Sequence, residues 1–379
     1  MRVEFFRHSI DEEDIARLAE TARSVFLTTG PQVEKFENAL GEYLGGHAVA
    51  VTSCTAAMHL CLLAWEIGPD CEVITTPLSF CATANVTLHT WATPVFVDVE
   101  EETGNIDADL IEGKITGRTR AIMPVHLYGQ MCDMRRIRQI AKKHKLIIIE
   151  DAAHCVEGVR EGILPGQFGN AACFSFYATK NITSGEGGAI VTDNRMKADL
   201  LKQLRLHGID ESAADRYTGE YRHYDMGMLG WKYNMDDLQA SLLIGQLERI
   251  DELWNRREII CRDYEMAFAK VEGIRLIKPT HDIYPSNRHA RHLFTIQVAP
   301  EHRDAILHEL QKKDIGVAVH FRPIHLMSYY RERFGYKEGD FPVAERIGAS
   351  TISLPLYPRL TDEEVEYVIK AVKEVLASA

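Results

Sequence analysis

The sequence is short of the features that mark several large functional classes. None of its apolar runs approaches the about 20 residues that a membrane-spanning helix needs. Its eight cysteines (Cys54, Cys61, Cys71, Cys81, Cys132, Cys155, Cys173 and Cys261) never fall as a CxxC pair. They sit among apolar neighbours, so buried free thiols in a reducing, cytoplasmic compartment are expected, with no metal site and no disulfide frame. Glycine is not scarce, yet neither GxGxxG nor a Walker loop occurs, which removes the usual support for dinucleotide and nucleoside-triphosphate binding. Positive charge is in deficit: 43 Lys and Arg face 55 Asp and Glu, a formal charge of −12. Such a surface repels phosphate backbones and argues against a nucleic-acid partner, while leaving room for a local anion pocket. Internal repeats and low-complexity stretches are missing as well. The opening MRVEFFRHSIDEEDIARLAE is acidic and helix-patterned, unlike a secretory signal.

What is present is ordinary globular material, 46% hydrophobic and 26% charged over 379 residues, enough for about two domains. From residue 48 short β-branched runs alternate with helix-length segments. The strand-like runs cover 48–53, 71–76, 94–99, 120–125, 146–150, 171–176 and 187–192, with helical stretches at 56–67 and 133–144 among them. This alternation predicts an α/β fold, a mostly parallel sheet flanked by helices on both faces. The run Leu146–Ile149 lacks polar alternation, as a strand buried on both faces should. A helical pattern starting near Asp236 runs to about residue 271 and reads as a connector. Beyond it, a strand at 292–298, a helix at 301–313, a strand at 315–321 and a helix at 361–377 make a smaller α+β unit. The expected division is 1–250 and 251–379.

Three segments could carry chemistry. In Val51-Thr52-Ser53-Cys54-Thr55-Ala56-Ala57 a strand passes directly into a helix, whose free N–H groups can hold a phosphate. An ordinary N-cap by Thr55 explains the same residues. In Ile149-Glu150-Asp151-Ala152-Ala153-His154 two acids end a buried strand, where open α/β sheets bind ligands. A buried Asp151 needs a cationic or hydrogen-bonding partner, such as a protonated ring nitrogen, unless it merely caps the next helix. In Phe174-Ser175-Phe176-Tyr177-Ala178-Thr179-Lys180, followed by the glycine-rich turn before residue 189, an amine lies between two apolar strands. Desolvation there would lower its pKa and make it a nucleophile or base, whereas a solvated loop lysine is the plainer alternative.

Taken together, in this order and spacing, these segments resemble the DegT/DnrJ-type sugar aminotransferases, pyridoxal 5′-phosphate (PLP) enzymes of fold type I. The resemblance extends through TTPLSFCATAN (75–85), EDAAH (150–154), FSFYATKNITSGEGG (174–188), GWKYNMDDLQA (230–240), HFRPIHL (320–326) and SLPLYP (353–358). It implies a homodimer with active sites at the subunit interface. It implies that Lys180 forms the Schiff base with PLP and then shuttles a proton. By the same resemblance Asp151 pairs with the pyridinium nitrogen, His154 lies near the phenolic oxygen and Phe80 stacks on the ring. Cys54, Thr55 and Ser175 match phosphate contacts, and Lys232 matches a residue reaching the phosphate from the neighbouring subunit. His320, Arg322 and His325 are implied as contacts to the sugar substrate or its diphosphate; taken alone, the two histidines could equally be satisfied structural residues.

One position departs from the pattern, because the family usually has Gly where this chain has Cys54. If that position required a positive φ or a close backbone approach, cysteine would strain it. The basic stretch 133–145 reads as the solvated face of a crossover helix, since Met134, Ile137 and Ile140 supply an inward stripe. The implied reaction transfers an amine from L-glutamate to a keto-sugar, with ping-pong kinetics. The GWKYN form resembles members that aminate C4 of UDP-linked sugars. Two alternatives stay on the table: a PLP- or PMP-dependent sugar dehydratase or deoxygenase on the same fold, which would replace Lys180 by His or add an iron–sulfur cluster, and a non-catalytic sensor, which would have lost Lys180 or Asp151.

Overall fold

The computed structural model describes residues 1–209, 223–278 and 287–378. Each of the seven strand-like runs folds as a strand: β1 His47–Val51, β2 Glu72–Thr75, β3 Thr93–Phe96, β4 Thr119–Ile122, β5 Ile147–Asp151, β6 Ala171–Ser175 and β7 Gly188–Thr192. They form one sheet in the order β1-β7-β6-β5-β4-β2-β3. All pairings from β6 to β3 are parallel, and β7 alone runs against its neighbours β1 and β6. Side chains alternate between faces along each strand. Ala50, Ile148 and Val191 enter one apolar core, under the helices Pro31–Leu44, Met134–His144 and Asp237–Glu248. Val51, Ile149 and Ile190 enter the other, under the helices Cys54–Ala64 and Arg195–Leu204. The basic helix Met134–His144 does bury Met134, Ile137 and Ile140.

The long pattern after Asp236 is two helices, Asp237–Glu248 and Ile250–Phe268, with a break at Arg249 (φ −108°, ψ 21°). The break lets one pattern serve two cores. Leu243 and Ile250 pack under the large sheet, while Ile260, Cys261 and Tyr264 pack in a separate core. That second core covers a three-stranded sheet in the order β10-β9-β8, built from Arg275–Leu276 (β8), Phe294–Gln297 (β9) and Thr351–Leu354 (β10). The helices Pro300–Lys312 and Asp362–Leu376 complete it, the latter started by a Thr361–Glu364 capping box. Val3, from the opposite end of the chain, packs there too.

The expected strand at 315–321 is absent. Ile315 pairs only with Val3 and Ala318 only with Ser353, so no ladder extends along the segment. Its two partners lie on different parts of the chain, and Gly316 lies so close to Phe5 that a Cβ would stand 2.3 Å from the Phe5 nitrogen. All eight cysteines are free, six of them buried. Among the described residues no helix is long and apolar enough to cross a membrane.

Candidate functional site

The C-terminal ends of β5 and β6, the start of the helix Cys54–Ala64 and the segment after β6 converge on a cavity of about 700 Å³. It lies where a parallel sheet exposes its strand ends to ligands. Of the residues singled out by sequence, Cys54, Thr55, Phe80, Asp151, His154, Ser175, Lys180 and His320 line it.

The helix begins with Ser53 as N-cap, its Oγ accepting the Ala56 N–H at 3.1 Å, so the cap is Ser53 and not Thr55. Capping leaves other first-turn N–H groups pointing out of the helix, at its positive end. Cys54 is the first helical residue and is not among the positive-φ positions, so cysteine is not strained by its backbone. The close approach falls on Gly188 instead: a Cβ there would stand 2.3 Å from the Ser53 carbonyl carbon and 2.5 Å from the Cys54 nitrogen. Gly188 pairs with both Val51 and Ser175, which sets the helix start beside the end of β6.

Asp151 closes the floor of the cavity. Its Oδ2 accepts the Thr83 hydroxyl at 2.7 Å and its Oδ1 accepts the Ala153 N–H at 3.2 Å, with the Cys54 thiol 3.9 Å away. No helix follows Asp151 directly, so it is not a cap. Desolvation brings Lys180 down to about 8, against the smaller opposing pull of Cys54 and Asp151. His154 and His320 are held below the ordinary histidine range, first by burial and then by the Lys180 charge, His320 at about 4. The Tyr128 N–H donates to Nδ1 of His154 at 3.3 Å, leaving the proton of the neutral ring on Nε2. His320 contacts Ser353 Oγ through Nδ1 at 2.8 Å and stacks on Phe5. Phe80 stands at the rim, 61% exposed, its ring 6.3 Å from that of Phe321.

Three of the expected site residues lie elsewhere in this chain. Lys232 is exposed and bridges to Leu206. Arg322 is exposed and donates to the Leu326 carbonyl at 3.1 Å. His325 is buried, 2.9 Å from Glu345 and packed against Phe341. Two cavity residues carried no clear sequence signal. Thr83 sits in the quoted stretch 75–85, where a hydroxyl four residues after Ser79 was the only hint; His292 passed as the start of an apolar strand.

The model of the DegT/DnrJ/EryC1/StrS aminotransferase family matches residues 8–373. The chain belongs to this family. It is a PLP-dependent aminotransferase. The Bacillus subtilis spore coat polysaccharide biosynthesis protein SpsC is 44% identical over 377 residues, spanning 98% of this chain and 96% of that protein. A putative sugar aminotransferase from Streptococcus pneumoniae, solved in its PMP form, superposes with a TM-score of 0.93 at 32% identity, with both chains fully covered. PseC of Helicobacter pylori, an aminotransferase of pseudoaminic acid biosynthesis, superposes with a TM-score of 0.91 at 29% identity, again over both whole chains. These neighbours confirm the fold type I architecture that the sequence motifs implied.

The aminotransferase's cavity fits PLP by the chemistry of its donors. A helix N-terminus with Thr55 and Ser175 suits the phosphate, the Asp151 carboxylate suits a protonated ring nitrogen, and the Lys180 amine suits the aldehyde.

Proposed function

We propose that this protein is a sugar aminotransferase that converts a keto-sugar, nucleotide-linked and oxidised at C4, into the amino-sugar, with L-glutamate as amino donor. One observation carries this reading: Lys180, Asp151 and the start of the helix Cys54–Ala64 line a single cavity. The names of SpsC and PseC, from polysaccharide and pseudoaminic acid biosynthesis, support a sugar substrate.

When bound, PLP supplies an electron-deficient ring that stabilises negative charge on the carbon losing its proton. The chain's own residues do the rest. Asp151 holds the proton on the ring nitrogen, and Thr83 keeps the carboxylate aimed. Lys180, partly neutral near pH 8, takes a proton and returns it to the neighbouring carbon. His154 offers its Nε2–H to an anionic oxygen, while Phe80 stacks from the rim. Cys54, Thr55 and Ser175 seat the phosphate.

The proposal includes a homodimer in which Lys232 and Arg322, which lie outside the cavity of their own chain, serve a site at the subunit interface. His320 faces the sugar directly; His325 acts at most by supporting the loop that carries it. A cofactor unit (1–250), a smaller unit closing on the sugar (251–379) and a cytoplasmic location complete it.

The test is to incubate the protein with PLP, ¹⁵N-glutamate and a panel of 3-keto and 4-keto nucleotide sugars. A labelled amino-sugar together with 2-oxoglutarate is expected. A deoxygenated product with no nitrogen incorporated would overturn the reading, as would a visible cofactor band that persists in Lys180→Ala after free PLP is removed.

A further inference from the structure

Behind Lys180 the cavity wall rests on a chain of buried polar groups that starts on the helix Ile250–Phe268. Arg257, 2% exposed, pairs through Nη2 with Oε1 of the fully buried Glu157. The other oxygen, Oε2, accepts a 2.8 Å bond from Nδ2 of Asn181. The same Nδ2 donates to the Ala290 carbonyl at 2.9 Å. With both amide hydrogens used, Asn181 cannot flip, and its Oδ1 can only accept. That Oδ1 lies 3.0 Å from Nδ1 of His292, so Nδ1 of His292 carries a hydrogen.

The His292 ring lies 4.2 Å from the ring of His154, with 33° between their planes. Two cationic imidazoles would repel at that separation, and burial disfavours charge on either. Desolvation, then the His154 and Lys180 charges, holds His292 well below the ordinary range. His154 carries its proton on Nε2, because the Tyr128 N–H occupies Nδ1. His292 is the opposite tautomer, with a hydrogen on Nδ1 and a bare Nε2. The adjacent, tilted rings therefore hold one donor and one acceptor. His292 and Lys180 both line the main cavity, and both also line a narrow recess beside it.

We propose that His292 is a positioning residue for Lys180: its bare Nε2 accepts a hydrogen bond from the Lys180 amine when that side chain turns into the recess the two residues share, and the Arg257–Glu157–Asn181 chain locks the accepting tautomer. The proposal takes from the preceding section that Lys180 is the reacting amine. The titratable groups acting on Lys180 are Cys54 and Asp151, which favour its charged form, while His154, His292 and His320 each feel its charge.

The test uses the cofactor-free full chain with ¹⁵N-labelled histidine. Long-range ¹H–¹⁵N correlation, assigned with His292→Gln and His154→Gln, should show His292 protonated on Nδ1 and His154 on Nε2. A proton on Nε2 of His292 overturns the proposal. In parallel, the pH dependence of Lys180 reductive methylation, read by peptide mass spectrometry, reports the lysine pKa. His292→Leu should lower it by about one unit, the scale of a lost hydrogen bond to a charged group. His292→Gln, whose amide oxygen reaches near the Nε2 position, should restore most of that loss. Equal values in the Leu and Gln variants overturn the proposal, because simple loss of packing would not tell them apart. Whether wild-type protein forms a visible band with PLP tests the role of Lys180 separately, so the two readings fail in different experiments.

Discussion

The Thr83 hydroxyl donates a 2.7 Å hydrogen bond to Oδ2 of Asp151, tying the helix Ala82–His89 to the C-terminal end of β5. With its one hydrogen committed, Thr83 can only accept from Ser79, 2.9 Å away, so a relay of two hydroxyls ends on the carboxylate. A carboxylate aimed this way is set before any ligand arrives.

Thr83→Val keeps the shape and removes the donor. One buried Asp151 oxygen loses its partner, at a cost of about 1–2 kcal/mol in stability. We expect kcat/KM to fall about tenfold, chiefly in kcat, with PLP still bound. Urea unfolding of the cofactor-free protein and steady-state kinetics check both outcomes.

Gly188→Ala should be among the most damaging small substitutions. The added methyl would stand 2.3 Å from the Ser53 carbonyl carbon, and backbone cannot swing aside as a side chain can. Overpacking of this kind costs about 1–3 kcal/mol. Thermal unfolding should show the loss, and equilibrium dialysis should show weakened PLP binding because the helix start is displaced.

The depressed Lys180 pKa predicts two pH effects of defined sign. Reactivity of the free amine toward an acylating reagent should rise with a midpoint at about pH 8, not near the ordinary 10.5. Because the folded value lies below the unfolded one, the unfolded chain binds more protons between those two pH values. This residue's contribution to stability therefore improves as pH rises through that window. Comparing urea midpoints of wild type and Lys180→Met across the window isolates it.

Cys54→Gly tests the departure from the family pattern. Since Cys54 adopts ordinary helical backbone, glycine gains nothing sterically and adds unfolded-state entropy, costing about 0.5–1 kcal/mol. PLP affinity should change little, as read by titration of the visible band.

The architecture was legible because its signals are local. Most of the seven strands bury both faces, and a run such as Ile147-Ile148-Ile149 advertises that without help from distant residues. Lys180, Asp151 and the start of the helix Cys54–Ala64 were legible for a related reason, since each sits at a strand end framed by small or polar residues. What escaped depends on partners remote in sequence. Residues 315–321 look strand-like, but they meet Val3 and Ser353 one residue at a time. The break at Arg249 follows from two cores that the helical period cannot separate. His292 gains its meaning from Asn181, 111 residues away, and Thr83 from Asp151, 68 residues away.

The reversed direction of β7 has a mechanical consequence. Because β6 and β7 form an antiparallel pair closed by Ser175 and Gly188, Lys180 rides on a hairpin tip anchored beside the start of the helix Cys54–Ala64. The reach of its amine is set by the length of residues 176–187 and by the bonds that steady them, Asn181 to Glu157 and Thr183 to Gln246, like the jib of a crane held by its stays. A single residue added within 176–187 changes where the amine can stand.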